Sequence, residues 1–157
     1  MLILMTHGEQ LLHLITGASA LTRMASLETR NEAPSAQWRT LNLLREHGPR
    51  RIGDLAVLSR VSQPGMTRLA GQMVEAGLVE RSPDPLDSRA TVLSASVTGL
   101  IALDAWLSEL QSTLEPHFAD LDADDWAAVE RVVAILAAKT GAAKTAAAKP
   151  GAAEVAR

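Results

Sequence analysis

The stretch SQPGMTRLAGQMVEAG, residues 62–77, carries the clearest structural signal in the chain. Ser62 is a natural helix N-cap, and Pro64 suits the first turn of a helix because its missing N–H would have no partner there. Gly77 suits the left-handed conformation in which many helices end. The sequence therefore predicts a helix that begins after Ser62 and runs to Ala76, with Gly77 as its C′ residue.

The two faces of this helix differ in character. On a helical wheel of about 100° per residue, one face carries Met66, Leu69, Ala70 and Met73. The opposite face carries Pro64, Thr67, Arg68, Gly71 and Glu75. We therefore expect the helix to pack by its first face and to present the second to solvent or to a partner.

Two further helices are predicted upstream. The nearer, short helix carries Ile52, Leu55 and Leu58 at three-residue steps. A three-residue turn, 59–61, joins it to the capped helix. Ser35 is a candidate N-cap for the earlier helix, and Gly48-Pro49 ends that helix because proline cannot continue it. Its apolar face carries Trp38, Leu41 and Leu44.

Two short extended runs follow the capped helix, at residues 78–81 and 90–97. In the second run Leu93, Ala95 and Val97 alternate with Val92, Ser94 and Ser96, a pattern typical of a half-buried strand. Residues 82–89 between them include two prolines and are predicted to form an irregular, turn-rich loop. Helix, turn, capped helix, strand, loop and strand is the order of a winged helix-turn-helix. The predicted fold class is mainly α with a small β-wing.

Helical patterns lie on both sides of this lobe. Residues 9–29 have apolar side chains at helical spacing, and Asn31 to Pro34 break the pattern. A long helix is predicted to begin at Thr98-Gly99 and to falter at Pro116. Its apolar positions are Leu103, Leu107, Leu110 and Leu114, flanked by Trp106.

Asp122 is placed to cap a last helix, with Asp125 in the capping-box position. The apolar stripe of that helix carries Trp126, Val129, Val133 and Leu136. Residues 140–157 are rich in Ala and Lys without an apolar period, so we predict a disordered tail. The predicted divisions are 1–33 (N-terminal helix), 34–98 (winged lobe), 99–139 (C-terminal helices) and 140–157 (tail).

Composition and charge exclude several classes of protein. The chain has 157 residues, a net charge of −3 and no cysteine, so disulfides and thiolate metal sites are excluded. The charge is uneven: residues 34–98 hold eight Arg and six acidic residues (+2), whereas residues 99–157 hold five basic and nine acidic residues (−4). The apolar Met1–Met5 is too short and wrongly flanked for a signal peptide or membrane span, so we expect a cytoplasmic protein.

The polar residues of the predicted lobe suit contact with double-stranded DNA. Arg pairs well with guanine and Gln with adenine in the major groove, which admits one helix. The candidates for base contacts are Gln63, Thr67, Arg68 and Gln72. Arg50, Arg51 and Arg60 lie at predicted helix ends and are candidates for phosphate contacts. The alternative is that these side chains form an ordinary solvated helix face.

The sequence as a whole resembles the MarR family (multiple antibiotic resistance regulators) over roughly residues 9–138. The resemblance is carried by residues 48–56, 61–69 and 75–81, by Asp87-Ser88-Arg89, and by Val97-Thr98-Gly99. It implies a homodimer whose N- and C-terminal helices interlock, so that two recognition helices enter successive major grooves of a pseudo-palindromic operator. It also implies that Arg89 reaches the minor groove and that Asp87 helps to hold it.

The resemblance further implies a transcriptional regulator, with Ser62 and Pro64 among the DNA-binding residues. We expect a repressor released by a small aromatic or phenolic ligand, for which His13 and Trp38 are the candidate residues. The alternative is a winged-helix protein-interaction module without specific DNA binding. We predict no cofactor and no metal, because the four histidines have no pair at helical spacing. No nucleophile–base signal or phosphate-cradling loop points to an enzyme.

Overall fold

The computed structural model describes residues 5–29, 33 and 35–140. The predicted helix break at 31–34, except Ala33, and the predicted tail from residue 141 onward lie outside the described residues. The helices are α1 His7–Glu28, α2 Ser35–His47, α3 Ile52–Ser59, α4 Gln63–Glu75, α5 Val97–Leu114 and α6 Ala123–Thr140, with a short 3₁₀ turn at Glu115–Phe118. The strands are β1 Arg50–Arg51, β2 Val79–Asp84 and β3 Asp87–Ala95. Across these described residues, no helix is long and apolar enough to cross a membrane. The mainly helical fold with a small β-wing is as predicted.

The recognition helix of the predicted motif, α4, has the predicted ends. The Ser62 hydroxyl accepts a hydrogen bond from the Gly65 N–H at 3.2 Å, and Pro64 lies in the first turn. Gly77 follows the helix with φ +69°, the left-handed conformation that glycine adopts without strain. All four predicted apolar residues are buried: Met66, Leu69, Ala70 and Met73. Local caps and one apolar face therefore determine this helix.

The three strands form one antiparallel sheet in the order β1-β3-β2. The predicted irregular loop over residues 82–89 is wrong, because β2 runs to Asp84 and β3 begins at Asp87, with only Pro85-Leu86 between them. Pro83 is accommodated because β2 is an edge strand, where a missing N–H need not break a ladder. The two-residue strand β1 was not predicted and pairs Arg50 with Leu93.

Several predicted boundaries and faces need correction. Ser35 is the first residue of α2, so it lies one position inside the helix that it was expected to cap. Leu58 is 47% exposed; the buried residues of α3 are Leu55, Ala56 and Ser59, which follow the 3.6-residue period more closely than three-residue steps do. Arg60, with φ 52°, begins the turn that leads to α4.

Helix α5 begins earlier than predicted. Val97 is its first residue rather than the end of a strand, and Ser96 is its N-cap. The Ser96 hydroxyl accepts from the Gly99 N–H at 2.9 Å and donates to the Gly77 carbonyl at 2.6 Å. This one side chain therefore joins the end of α4 to the start of α5.

The core lies between α2, α3, α4, the sheet and the first half of α5. Its buried members are Trp38, Leu41, Leu44, Leu55, Ala56, Met66, Leu69, Ala70, Met73, Val79, Leu93 and Leu103. Gly99 is needed where α5 meets this core: a Cβ there would lie 2.0 Å from the Leu78 carbonyl oxygen. No other residue type fits without moving the backbone.

The flanking helices α1 and α6 bury little within the chain. Ala25 is the buried residue of α1, and α6 has none. Both helices are firmly capped: Thr6 and Glu9 form a capping box, and Asp122 accepts from the N–H groups of Asp124 and Asp125. Because α6 buries no residue within the described part of the chain, its predicted apolar stripe is exposed.

Candidate nucleic-acid interface

The N-terminal half of α4 presents a row of polar side chains to solvent. The exposed candidates are the N-cap residue Ser62, then Gln63, Pro64, Thr67 and Arg68 in this half, and Gln72 in the C-terminal half of the helix. The Thr67 hydroxyl donates to the Gln63 carbonyl at 2.9 Å, which fixes its rotamer while leaving its oxygen free to accept. The first turn of α4 holds no acidic residue. The positive end of the helix dipole is therefore unopposed, which favours a nearby phosphate.

The neighbouring helices hold α4 in place. Its opposite face is buried against the core, and α3 packs directly on it. The Arg39 guanidinium donates to the Ser59 carbonyl at 2.9 Å, which ties α2 to the end of α3. Arg60 then turns the chain in a left-handed conformation. The exposed face of α4 is thus carried on a rigid frame rather than on a loop.

The wing is formed by the β2–β3 hairpin and is fastened to β1 by an ion pair that the sequence did not reveal. The Arg51 Nε lies 2.6 Å from Asp84 Oδ2, and Arg51 Nη2 lies 3.9 Å from Asp87 Oδ2. The Leu86 N–H donates to Asp84 Oδ1 at 2.8 Å. That N–H and the Arg51 guanidinium hold the pKa of the Asp84 carboxyl below its usual value, and the carboxylate raises the pKa of Arg51.

The remaining wing candidates, Asp87 and Arg89, contact each other through the backbone. Asp87 Oδ1 accepts from the Arg89 N–H at 3.1 Å. Arg89 is exposed, and its guanidinium has no hydrogen-bond or ion-pair partner within the part of the chain that the structure describes. Asp87 thus positions the backbone of Arg89 and leaves its charged end free.

The candidate phosphate contacts divide into two kinds. Among the described residues, the Arg50 guanidinium donates to the neighbouring Pro49 carbonyl at 3.0 Å, and neither Arg50 nor Arg60 forms an ion pair there. Arg51, in contrast, is already engaged by two carboxylates of the wing.

A small cavity lies where α1, α2 and α5 meet. It has a volume of about 120 Å³ and is lined by Ser26, Thr29, Ala33, Ser35, Trp38 and Trp106. The two indoles stack with their centroids 5.2 Å apart and their planes within 6°. The buried Trp38 Nε1 has no hydrogen-bond partner among the described residues. His13 is exposed on α1 and does not line this cavity.

Within the described residues, no group of three or more His, Asp or Glu side chains could hold a metal ion. The candidate site consists of the α4 face and the wing, and the Trp-lined cavity is a separate feature bordered by the core residue Trp38.

Comparison with known proteins places the chain among winged helix-turn-helix regulators by likeness of sequence and fold. A family model described as the MarR family matches residues 33–90. An HTH-type transcriptional regulator of Mycobacterium tuberculosis is 32% identical over 93 residues, which cover 55% of this chain and 65% of the relative. The match thus spans just under two thirds of that relative's length.

Two solved structures share the fold. The Multiple Antibiotic Resistance Repressor, MarR, superposes with a TM-score of 0.68 at 21% identity, covering 85% of this chain and 96% of the other. BpsR of Bordetella bronchiseptica, whose DNA binding is regulated by 6-hydroxynicotinic acid, has a TM-score of 0.55 at 17% identity, covering 85% and 96%. At these identities the likeness establishes the winged helix-turn-helix fold with its flanking helices.

Proposed function

Because this chain belongs to the MarR family, we propose that it is a sequence-specific transcriptional regulator of double-stranded DNA and acts as a homodimeric repressor. The observation that carries the proposal is the α4 helix, which is capped by Ser62, buried on one side and lined with exposed polar side chains on the other. A helix supported in this way fits a major groove about 12 Å wide.

The α4 side chains would read bases. Gln63, Thr67 and Arg68 lie in the first two turns, the part of a recognition helix that reaches base edges. Arg68 suits a guanine and Gln63 an adenine, while Gln72 lies one turn further along. Arg50 and Arg60, which make no ion pair with any described residue, would contact phosphates and fix the register.

The wing would supply a second contact through Arg89. Its guanidinium is exposed and unpaired among the described residues, and Asp87 orders the backbone that carries it. A narrow minor groove concentrates negative potential and attracts such a side chain. The local charge of residues 34–98 is only +2, so individual placed contacts must supply the affinity rather than a broad positive field.

The flanking helices would provide the dimer. Their apolar side chains are largely exposed in the single chain, for example Leu11 at 60% and Ile15 at 64% on α1, and Val133 at 58% on α6. Several large apolar side chains exposed on the same helix are typical of an interaction site. A second copy would cover it and place two α4 helices on successive half-sites of a pseudo-palindromic operator.

The Trp-lined cavity is the candidate effector site. Stacked indoles, three hydroxyl side chains and a buried, unpartnered Trp38 Nε1 suit a planar ligand that carries a hydrogen-bond acceptor. A cavity of about 120 Å³ admits about one aromatic ring, since a cavity of about 150 Å³ can bind benzene. Binding of such a ligand between α2 and α5 would release the operator.

The experiment is selection of genomic fragments by the purified protein, followed by binding titrations at several salt concentrations. We expect nanomolar binding to a selected operator, with an affinity that falls steeply as salt rises. Arg89→Ala should weaken that binding, whereas Arg23→Ala, an exposed Arg on α1, serves as the matched control. If no fragment is bound above non-specific affinity, a winged-helix protein-interaction module becomes the better account.

A further inference from the structure

Arg51 connects two strands that are not neighbours. In the sheet order β1-β3-β2, Arg51 of β1 pairs with Val92 of β3, and Val92 pairs on its other side with Ser82 of β2. The Arg51 side chain nevertheless forms its 2.6 Å contact with Asp84, two residues beyond Ser82 on the far strand. The guanidinium therefore spans the central strand and joins both edges of the sheet.

Asp84 is occupied on both carboxylate oxygens. One oxygen faces Arg51, and the other accepts from the Leu86 N–H within the Pro85-Leu86 turn. The Asp84 side chain is only 9% exposed. The register of the hairpin also shifts between Pro83 and Asp84, beside the contact of Asp84 with Arg51. We call this Arg51–Asp84 contact the clip. Asp84 therefore sets the shape of the wing turn and anchors that turn to β1.

The connection continues toward the exposed end of the wing. Arg51 Nη2 lies 3.9 Å from Asp87 Oδ2, and the other Asp87 oxygen accepts from the Arg89 N–H. A chain of contacts thus runs from the residue before α3 to the backbone of Arg89. Arg50 and Arg60, by comparison, make no ion pair among the described residues.

We propose that Arg51 is a positioning residue rather than a phosphate contact: through Asp84 and Asp87 it fixes the wing relative to α3 and so presents Arg89 to DNA. This proposal rests on the proposed function. The clip is pre-formed in the free protein, so the wing need not be ordered when DNA binds, and less entropy is lost on association.

The direction in which Asp84→Asn changes the operator affinity distinguishes a positioning role of Arg51 from a phosphate contact. Asp84→Asn keeps an oxygen for the Leu86 N–H and removes the charge that holds Arg51. If Arg51 positions the wing, Asp84→Asn should weaken operator binding about tenfold, as Arg51→Gln does. If Arg51 contacts a phosphate, Asp84→Asn removes an acid near DNA and frees the guanidinium, so the affinity should stay equal or rise. Glu80→Gln, an exposed acid on the same strand, is the matched control and should not weaken binding.

The double variant and the base preference complete the test. Arg51→Gln with Asp84→Asn should bind no more weakly than either single variant, because the pair acts as one unit. Preference for particular base pairs under the wing should be lost while preference under α4 is retained; a general loss of stability would weaken every position alike. Wild-type affinity for Asp84→Asn, or full additivity, would overturn the proposal.

Failure of this proposal is distinguishable from failure of the proposed function. If the wild-type protein selects no operator, the proposed function fails before either variant is compared. If the wild type selects an operator and Arg89→Ala weakens binding but Asp84→Asn does not, only the role of Arg51 is wrong.

Discussion

Helices α4 and α6 are both amphipathic, but among the described residues only α4 has its apolar face buried. The four apolar residues of α4 are at most 7% exposed, whereas Trp126, Val129, Val133 and Leu136 of α6 are between 39% and 58% exposed. The same pattern of apolar spacing therefore has two outcomes. The lobe closes its own core, while the flanking helices keep an apolar face that a second copy would cover.

The largest expected effect comes from a substitution on the exposed apolar stripe of α6. Val133→Glu places a charge on the exposed stripe of α6 and should produce a monomer, since burial of an unpaired charge is strongly unfavourable. Loss of the second half-site contact should weaken operator binding by about 100-fold or more. Sedimentation and DNA titration measure both changes.

Val97→Glu is the matched control, because Val97 is 76% exposed but belongs to the lobe. It should remain dimeric. A Val133→Glu protein that stays dimeric would show that α6 does not contribute to the interface.

The next largest effect is a loss of stability of the lobe that leaves the apolar faces of α1 and α6 unchanged. Gly99→Ala should lower the free energy of unfolding by about 1–3 kcal/mol, because the added methyl collides with the Leu78 carbonyl and the packed core cannot yield freely. Gly53→Ala is the control, since a Cβ there meets nothing within 4 Å. In denaturant titrations that variant should be as stable as the wild type or slightly more stable, and equal losses in both would contradict the close-approach argument.

A third prediction concerns the polar face of α4, the side that the core does not use. Arg68→Ala should cost about 1–3 kcal/mol of binding to the operator and relax the preference at one base pair, as expected when direct readout is lost. Titrations on the operator and on single-base variants of it measure this. An equal loss on every sequence would instead make Arg68 a phosphate contact.

The smallest expected effect compares the caps of the two helices. Ser62→Ala and Asp122→Ala each remove an N-cap, worth about 1 kcal/mol. The first should lower the stability of the lobe without changing the dimer dissociation constant, whereas the second should weaken the dimer. Thermal unfolding combined with sedimentation tests the pair; a change in dimerisation on Ser62→Ala would mean that the two regions are not independent.

The sequence predicted those features of the lobe that depend on near neighbours. The Ser62 cap, the Gly77 end and the buried face of α4 are all decided within one helix, and all three were confirmed. The apolar stripe of α6 could be predicted for the same reason, because it depends on the spacing of residues within one helix. What the sequence could not show is whether anything covers that stripe, because burial depends on partners outside the pattern.

The main errors lie where residues distant in sequence decide the structure. Arg51 and Asp84 are separated by 33 positions, and no local pattern joins them. The hairpin over residues 82–89 was missed because its turn chemistry favours a loop until Asp84 caps the Leu86 N–H and β3 pairs with β1. The prediction that Leu58 lies on the apolar face of α3 was wrong for a simpler reason. A three-residue step drifts away from the buried face of a helix within two turns.

The positions of the three tryptophans have a spectroscopic consequence. The chain contains no tyrosine, so its near-ultraviolet emission comes almost entirely from the indoles. Trp38 and Trp106 are stacked beside the cavity, whereas Trp126 is 46% exposed on α6. Quenching of the stacked pair and a blue shift of Trp126 would report separately on small-molecule occupancy and on assembly, and Trp126→Phe would isolate the first signal. The unlabelled protein thus carries two optical probes, one beside the cavity and one on α6.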